Sequence, residues 1–223
     1  MYNMRKTFNT RHKKKYCKQD IESLLRKTRY KNEYYKQDIE FLLRKIKVIK
    51  VIKTAKPTKP NDLGDFGATD IRHLALAISE NYDEATKKYK DPYDNNRTYT
   101  LDIKSMKDKA GLKLEYDHII PITEVWKRAA YAWSEKKKTE YVFDPVVGVI
   151  TSSHINGNKS AKCLVEFLNS KVFNGDKRSF CLSWLVIAVK YDIPLTQDEK
   201  KEIDNELKNG SFPVKVINPI KPW

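Results

Sequence analysis

The sequence predicts an α+β protein that is mostly helical and has two short strands in its second half. Three observations favour this fold class. Apolar residues recur at helical spacing through several segments. Residues 112–116 alternate apolar and polar side chains, and residues 146–151 are a short, mostly apolar run, so both are expected to be strands. Residues 1–60 are strongly basic, and we expect them to form a largely helical arm. We therefore expect a small strand–strand–helix unit embedded in a mainly helical domain, with the arm in front of it.

The arm carries nearly all of the excess charge. Residues 1–60 contain 19 Lys and Arg against 5 Asp and Glu, whereas residues 61–223 contain 25 against 24. The formal net charge is +15. A localised basic segment is the usual footprint of a polyanionic partner. DNA is therefore the expected partner and RNA is possible, while an acidic membrane surface, an acidic protein or a merely solvated face stay open.

The arm also contains an internal duplication. The segment 16–27 recurs as 34–45, at an offset of 18 residues that corresponds to about five helical turns. In a helix, both copies would face the same side. The Pro- and Gly-rich stretch 54–67 is typical of a linker. It predicts a boundary between the arm, 1–60, and a second domain, 61–223.

The cellular context follows from what the sequence lacks. It has no apolar run long enough to span a bilayer, and its first residues lack the apolar core of a secretory signal. Cys17, Cys163 and Cys181 are isolated and form no C-x-x-C pair, so no structural zinc is expected. We expect an intracellular protein, cytoplasmic or in the nucleoid or nucleus, without membrane attachment.

The second domain has a clear predicted element order. Its helices are expected at about 70–89, 123–138, 156–169, 179–190 and from Thr196, where Thr-Gln-Asp-Glu199 forms a capping box. Trp126 and Trp133 lie at helical spacing and are expected to pack in the core rather than to stack on bases. The segment 91–97 is rich in Asp, Asn and Pro and predicts a loop.

Residues suited to phosphodiester hydrolysis cluster around the two predicted strands. His118 ends the first strand, and an imidazole can accept a proton from water at neutral pH. Asp117 and Asn156 offer oxygen ligands, which Mg²⁺ prefers while it keeps several waters. Lys159 and the start of the helix at Asn156 could both face a phosphate. Adjacent strand residues point to opposite faces, so Asp117 and His118 share a pocket only where the strand end before Pro121 is distorted.

These residues resemble a known family. Asp117-His-Ile-Ile-Pro121, then a short strand, then Asn156-x-x-Lys159 resembles the HNH, or ββα-metal, endonuclease motif over about residues 112–170. The resemblance implies that His118 is the general base and that Asp117 and Asn156 bind one Mg²⁺ or Mn²⁺. Lys159 would be the motif lysine. The family cleaves DNA, less often RNA, and leaves a 5′-phosphate and a 3′-hydroxyl.

The family includes several kinds of nuclease, which the residues of the motif do not separate. Sequence-specific DNA cleavage by a restriction or homing type enzyme is the leading expectation, because the flanking helices are large enough to carry recognition elements. A non-specific DNA or RNA nuclease is the nearest alternative. A homodimer would follow if the target has two-fold symmetry. The competing class is a non-catalytic nucleic-acid-binding protein.

The chain departs from the family pattern at three points, one of which is a long gap between His118 and the second strand that predicts an inserted helix. The central asparagine, which helps to hold the catalytic histidine, is replaced by Val147 or a nearby residue, so a backbone carbonyl is the expected substitute. The family's cysteine pairs that bind zinc are absent. His154 lies in the same constellation and is either a further metal or phosphate ligand or an ordinary loop residue. Asn158 is a cap or loop residue beside Asn156.

Overall fold

The computed structural model describes residues 48–49, 71–72, 75–76, 79–102 and 104–208. The basic arm and its duplication therefore lie outside the described residues, apart from the backbone of residues 48–49. Within the described residues the architecture is α+β, as predicted, with helices and three small sheets. No helix in this part of the chain is both long and apolar enough to cross a membrane.

Residues 71–72 and 75–76 are helical. The described strands are β1 (Val48–Ile49), β2 (Tyr82–Asp83), β3 (Lys88–Lys90), β4 (Thr98–Asp102), β5 (Lys107–Asp108), β6 (Leu114–His118), β7 (Gly148–Ser152) and β8 (Leu195–Thr196). The described helices are α1 (Ile122–Arg128), α2 (Glu135–Val142), α3 (Ser153–Lys159), α4 (Leu164–Leu168), α5 (Lys177–Tyr191) and α6 (Gln197–Lys208). Short 3₁₀ helices cover Ala130–Ala132 and Pro145–Val147.

The four-stranded antiparallel sheet β2-β3-β4-β5 was not predicted, and the predicted helix over 70–89 is wrong beyond its first turns. After the helical residues 75–76, polar side chains form hydrogen bonds with nearby backbone N–H groups. Ser79 accepts the N–H of Asn81, and Asp83 accepts the N–H of Ala85, which favours turns over a helix. Lys87 then adopts a positive φ of 57° in the connection between β2 and β3.

Two other predicted helices are each divided into shorter ones. The helix expected over 123–138 ends at Arg128, and a second helix starts where the Ser134 side chain accepts the N–H of Lys137. The helix expected over 156–169 begins earlier, at Ser153, and ends at Lys159, where Ser160 has a φ of 45°. A separate helix, α4, then follows.

Other local predictions are confirmed. The helix expected over 179–190 is α5, and the strands expected at 112–116 and 146–151 are β6 and β7, each shifted by two residues or fewer. The capping box before α6 is present, because Thr196 Oγ1 accepts the N–H of Glu199 and the Glu199 carboxylate accepts the N–H of Thr196. The chain is a strand at residues 48–49, where β1 pairs in parallel with β8.

Two hydrophobic clusters enclose the β6–β7 pair. The larger one is built around α5, whose Trp184 is fully buried, and Trp126 and Trp133 pack against it as expected. The smaller one lies under the four-stranded sheet and includes Leu114 of β6 and Ile150 of β7. Every residue of β7 is buried. The strand pair is therefore held from both sides, which fixes the positions of the polar side chains at its edge.

Gly148 is predicted to be intolerant of a side chain. An added Cβ would lie 2.4 Å from Cζ of Tyr116 and 2.5 Å from the carbonyl oxygen of Asp117. We expect Gly148→Ala to lower the free energy of unfolding by about 1–3 kcal/mol, because such overpacking forces the strands apart. Gly157→Ala is the matched control, since no heavy atom lies within 4 Å of its Cβ.

The control substitution places alanine in an exposed part of α3. It should leave the free energy of unfolding unchanged or raise it by up to about 1 kcal/mol, because alanine is the better helix former. Urea denaturation of both variants distinguishes the two sites. Equal effects of the two substitutions would contradict the close packing of β6 on β7.

Candidate functional site

The predicted constellation lies on a strand–strand–helix unit formed by β6, β7 and α3. β6 and β7 are antiparallel, with Asp117 opposite Val149 and His118 opposite Gly148. α3 starts directly after β7, where the Ser152 side chain accepts the N–H of Ile155. The strand pairing continues through His118. The distortion expected at the end of β6 is therefore absent, and Asp117 and His118 contact different parts of the molecule.

His118 is held by aromatic rings and by one backbone carbonyl. Its ring stacks on Tyr141 at 5.6 Å and meets the edge of Tyr116 at 5.1 Å, centroid to centroid. Its Nε2 lies 3.0 Å from the carbonyl oxygen of Val142. Because this nitrogen must donate to the carbonyl, we assign the hydrogen of the neutral ring to Nε2, which leaves the lone pair on Nδ1.

A backbone carbonyl, that of Val142, contacts the His118 ring, which agrees with the expectation that a carbonyl takes the place of the central asparagine. Val147, at the asparagine position, is buried, and its own carbonyl accepts the N–H of Ile119. Burial lowers the pKa of His118 to about 4. The imidazole is therefore neutral across the physiological pH range.

Asp117 is buried and bound through one of its two oxygens. Its Oδ2 lies 2.8 Å from Nζ of Lys159 and accepts a hydrogen bond from the Tyr93 hydroxyl at 2.6 Å. Its Oδ1 accepts no hydrogen bond from the residues that the structure describes. One carboxylate oxygen is thus held by protein groups and the other is left for a further partner.

Lys159 is fully buried, contrary to the expectation that it faces a phosphate. Besides the ion pair with Asp117, its ammonium donates to the backbone carbonyl of His118 at 2.7 Å. Burial lowers the pKa of Lys159, and the neighbouring Asp117 carboxylate opposes that shift. Lys159 therefore braces the end of β6 from the side of α3. The isolated sequence pattern could not distinguish this internal role from contact with a phosphate.

Asn156 is placed on the same side of the unit by Glu115, a residue that the sequence analysis missed. The side-chain amide of Asn156 donates to Glu115 Oε2 at 2.8 Å. Lys113 pairs with the other oxygen at 2.8 Å, and these two interactions lower the pKa of Glu115. Strand alternation would have indicated Glu115, because residues 115 and 117 share one face of β6.

His154 lies away from this group. It is exposed on α3, two residues before Asn156, and residues at this spacing do not share a helix face. Asn158 is also exposed, and its amide donates to the backbone carbonyl of His154. Asn158 is therefore a local helix residue, as expected, and a ligand role for His154 stays a prediction.

Asp117 and Asn156 offer oxygen donors of the type that a hard divalent cation prefers. Among the described residues, no group of three or more His, Cys, Asp and Glu could hold a metal ion. Asp117 Oδ1 and the Asn156 amide oxygen make a smaller set of one carboxylate and one amide. Such a set suits Mg²⁺, which keeps much of its water. Glu115 accepts the hydrogen bond from the amide nitrogen of Asn156, which leaves the amide oxygen free to bind a cation.

No family model matches the chain, and neither the curated proteins nor the solved structures include one that is significantly similar to it. The functional argument therefore depends on the chemistry and geometry of the chain's own residues.

Acid is expected to destabilise the metal-free protein through His118. In the unfolded chain the imidazole has a pKa of about 6.5, whereas burial lowers its pKa to about 4 in the folded protein. Between these values the unfolded chain binds the proton more tightly. The stability contributed by the neutral ring is therefore lost as the pH falls from about 6.5 to about 4, by about 3 kcal/mol in total.

Urea denaturation in EDTA at a series of pH values measures this effect. The variant His118→Gln cannot titrate at this position and serves as the control. We expect the loss of stability between about pH 6.5 and pH 4 to be smaller in His118→Gln than in the wild type by about the same 3 kcal/mol. Parallel pH profiles for the two proteins would contradict the lowered pKa of the partly buried His118.

Proposed function

We propose that this chain is a metal-dependent endonuclease that hydrolyses phosphodiester bonds in DNA. The observation that supports this most strongly is the arrangement of β6, β7 and α3. It places a neutral histidine and a carboxylate with a free oxygen at adjacent positions of β6, and an asparagine amide on α3 beside that strand. His118, Asp117 and Asn156 are the groups that the HNH resemblance implies.

His118 is the proposed general base. Its Nδ1 lone pair would accept a proton from the water that attacks phosphorus. The Val142 carbonyl holds the ring in one orientation and would stabilise the imidazolium formed after proton transfer, because the Nε2–H still donates to it. The stacked Tyr141 ring further limits motion of the imidazole. The chain thus supplies both the base and its orientation.

Asp117 and Asn156 are the proposed ligands of one Mg²⁺ or Mn²⁺ ion. When bound, such an ion supplies positive charge that stabilises the phosphate and the leaving 3′-oxygen in the transition state. Lys159 and Tyr93 hold Asp117 Oδ2, and Glu115 holds the amide nitrogen of Asn156. These contacts fix two oxygen donors in advance, which reduces the cost of organising them on metal binding.

The proposed substrate is double-stranded DNA, with sequence-specific cleavage of the restriction or homing type. The basic arm, residues 1–60, would contact phosphates without regard to sequence, so affinity should fall steeply with salt. RNA is the second substrate to try. A two-fold symmetric target would imply a homodimer.

Cleavage of supercoiled plasmid by the full chain tests the proposed function. We expect nicking and linearisation with Mg²⁺ or Mn²⁺ and none with EDTA. A few discrete fragments would support sequence specificity, whereas a smear would support a non-specific nuclease. Intact plasmid and intact structured RNA, under conditions in which the chain binds nucleic acid, would overturn the catalytic proposal.

One observation favours a second function, that of a non-catalytic nucleic-acid-binding protein. Lys159 already neutralises Asp117, and that ion pair is buried, so part of the charge that would attract a metal is compensated. This alternative predicts salt-sensitive DNA binding that neither EDTA nor Mg²⁺ alters. It also predicts no cleavage under any metal condition.

A further inference from the structure

We infer that Tyr93 is a positioning residue, which orients the Asp117 carboxylate so that its Oδ1 is presented to a divalent cation. This inference rests on the proposed metal site. Tyr93 lies in the loop between β3 and β4, outside the strand–strand–helix unit and 24 residues before Asp117. Its hydroxyl donates to Asp117 Oδ2 at 2.6 Å.

The Tyr93 ring has little freedom to move. It is fully buried and meets the rings of Phe167 at 5.0 Å and Phe180 at 5.7 Å, both in edge-to-face contact. Phe173 lies at 6.4 Å. Packing on these sides fixes the direction in which the hydroxyl points. We therefore expect the Asp117 carboxylate to adjust its orientation to the fixed Tyr93 hydroxyl.

The backbone of Tyr93 is tied to the same unit through Asp91. The Tyr93 N–H donates to Asp91 Oδ1 at 2.9 Å, and Asp91 Oδ2 accepts from the Thr151 hydroxyl at 2.8 Å. Thr151 belongs to β7, the partner strand of β6. The loop is thus attached to β7 at one point and reaches Asp117 on β6 at another. This fixes the distance between the tyrosine hydroxyl and the carboxylate.

Tyr93 and Lys159 act on the same oxygen but supply different things. Lys159 supplies the charge that makes burial of the carboxylate possible, whereas the Tyr93 hydroxyl supplies direction without charge. Two donors on Oδ2 restrict rotation of the carboxylate, which leaves Oδ1 facing away from both. Removing the hydroxyl alone should therefore weaken metal binding while the ion pair and the packed ring remain.

The variant Tyr93→Phe tests this, and Tyr99→Phe is its matched control. Tyr99 is also buried, and its hydroxyl also donates to a buried carboxylate, that of Asp91, at 3.0 Å. Each variant loses one hydroxyl from the same polar network and keeps its ring. Only Tyr93→Phe loses a contact with Asp117, so a general loss of packing or stability would affect both variants.

Mn²⁺ binding to the full chain is measured in the absence of nucleic acid. The electron paramagnetic resonance signal of free Mn²⁺ reports how much of the ion remains unbound. We expect Tyr93→Phe to weaken Mn²⁺ binding by roughly tenfold or more, as for other groups that orient metal ligands. Tyr99→Phe should stay within about twofold of the wild type. Near-UV circular dichroism verifies that both variants are folded.

The outcomes separate this inference from the proposed function. Equal affinities of Tyr93→Phe and the wild type, or equal weakening in both variants, would overturn the positioning role even in an active nuclease. A wild-type chain that binds no Mn²⁺ would overturn it as well. Selective weakening in Tyr93→Phe, in a chain that cleaves no nucleic acid, would support the positioning role and refute the nuclease proposal.

Discussion

Replacement of Lys159 by methionine is expected to lower the free energy of unfolding by about 3–5 kcal/mol, the usual cost of leaving one member of a buried ion pair alone. Lys159 has no exposed surface, and its ammonium contacts both the Asp117 carboxylate and the His118 carbonyl. Methionine fills a similar volume. The loss of stability should therefore come from the unpaired Asp117 carboxylate and the unpaired His118 carbonyl rather than from a cavity.

Urea denaturation of three variants measures this effect. The double variant Lys159→Met with Asp117→Asn should recover part of the loss, because the neutral amide costs less to bury than a carboxylate. Lys208→Met is the control, since Lys208 pairs with Asp204 at the surface, where its side chain is 48% exposed. That substitution should change stability by less than about 1 kcal/mol. Equal small effects at both lysines would show that Lys159 is solvated.

Replacement of His118 by alanine is expected to reduce the cleavage rate by about 10²–10⁴-fold, the usual contribution of a general base. Among the described residues, no other histidine lies at the end of β6. His154, the remaining histidine of the constellation, is exposed on α3. Metal binding should survive, because the contacts that hold the proposed ligands Asp117 and Asn156 do not involve the His118 ring.

Single-turnover cleavage of plasmid at saturating Mg²⁺ gives the rate, and circular dichroism verifies folding. His154→Ala is the control and should retain the wild-type rate within a fewfold. Retained cleavage in His118→Ala would assign the base to another residue. Equal losses in both histidine variants would indicate that His154 also takes part, as the sequence left open.

Local sequence signals predicted the unit that carries the proposed site. The strands of residues 112–116 and 146–151 appear in the structure with shifts of two residues or fewer, and a helix follows the second strand, although it ends at Lys159 rather than near residue 169. The capping box at Thr196 is also present. Each of these features is encoded within a few neighbouring residues, so the sequence was sufficient to predict it.

Features that depend on contacts between distant residues were not predictable in this way. Tyr93 reaches Asp117 across 24 residues, and Val142 reaches His118 across the same separation. The residues that flank Tyr93 and Val142 in the sequence contain no pattern that predicts these contacts. The burial of Lys159 likewise depends on the packing of α3 against β6. Three of the four strands of the missed sheet have only two or three residues, too few for a periodic signal.

The claim central to the proposed function is that Asp117 and Asn156 hold one divalent metal ion in the strand–strand–helix unit. Anomalous scattering from crystals of the full chain soaked in Mn²⁺ tests it most directly. We predict a single strong Mn²⁺ peak in contact with the side-chain oxygens of both residues. A peak at other residues, or none at a Mn²⁺ concentration that supports cleavage, would contradict this assignment of the metal site.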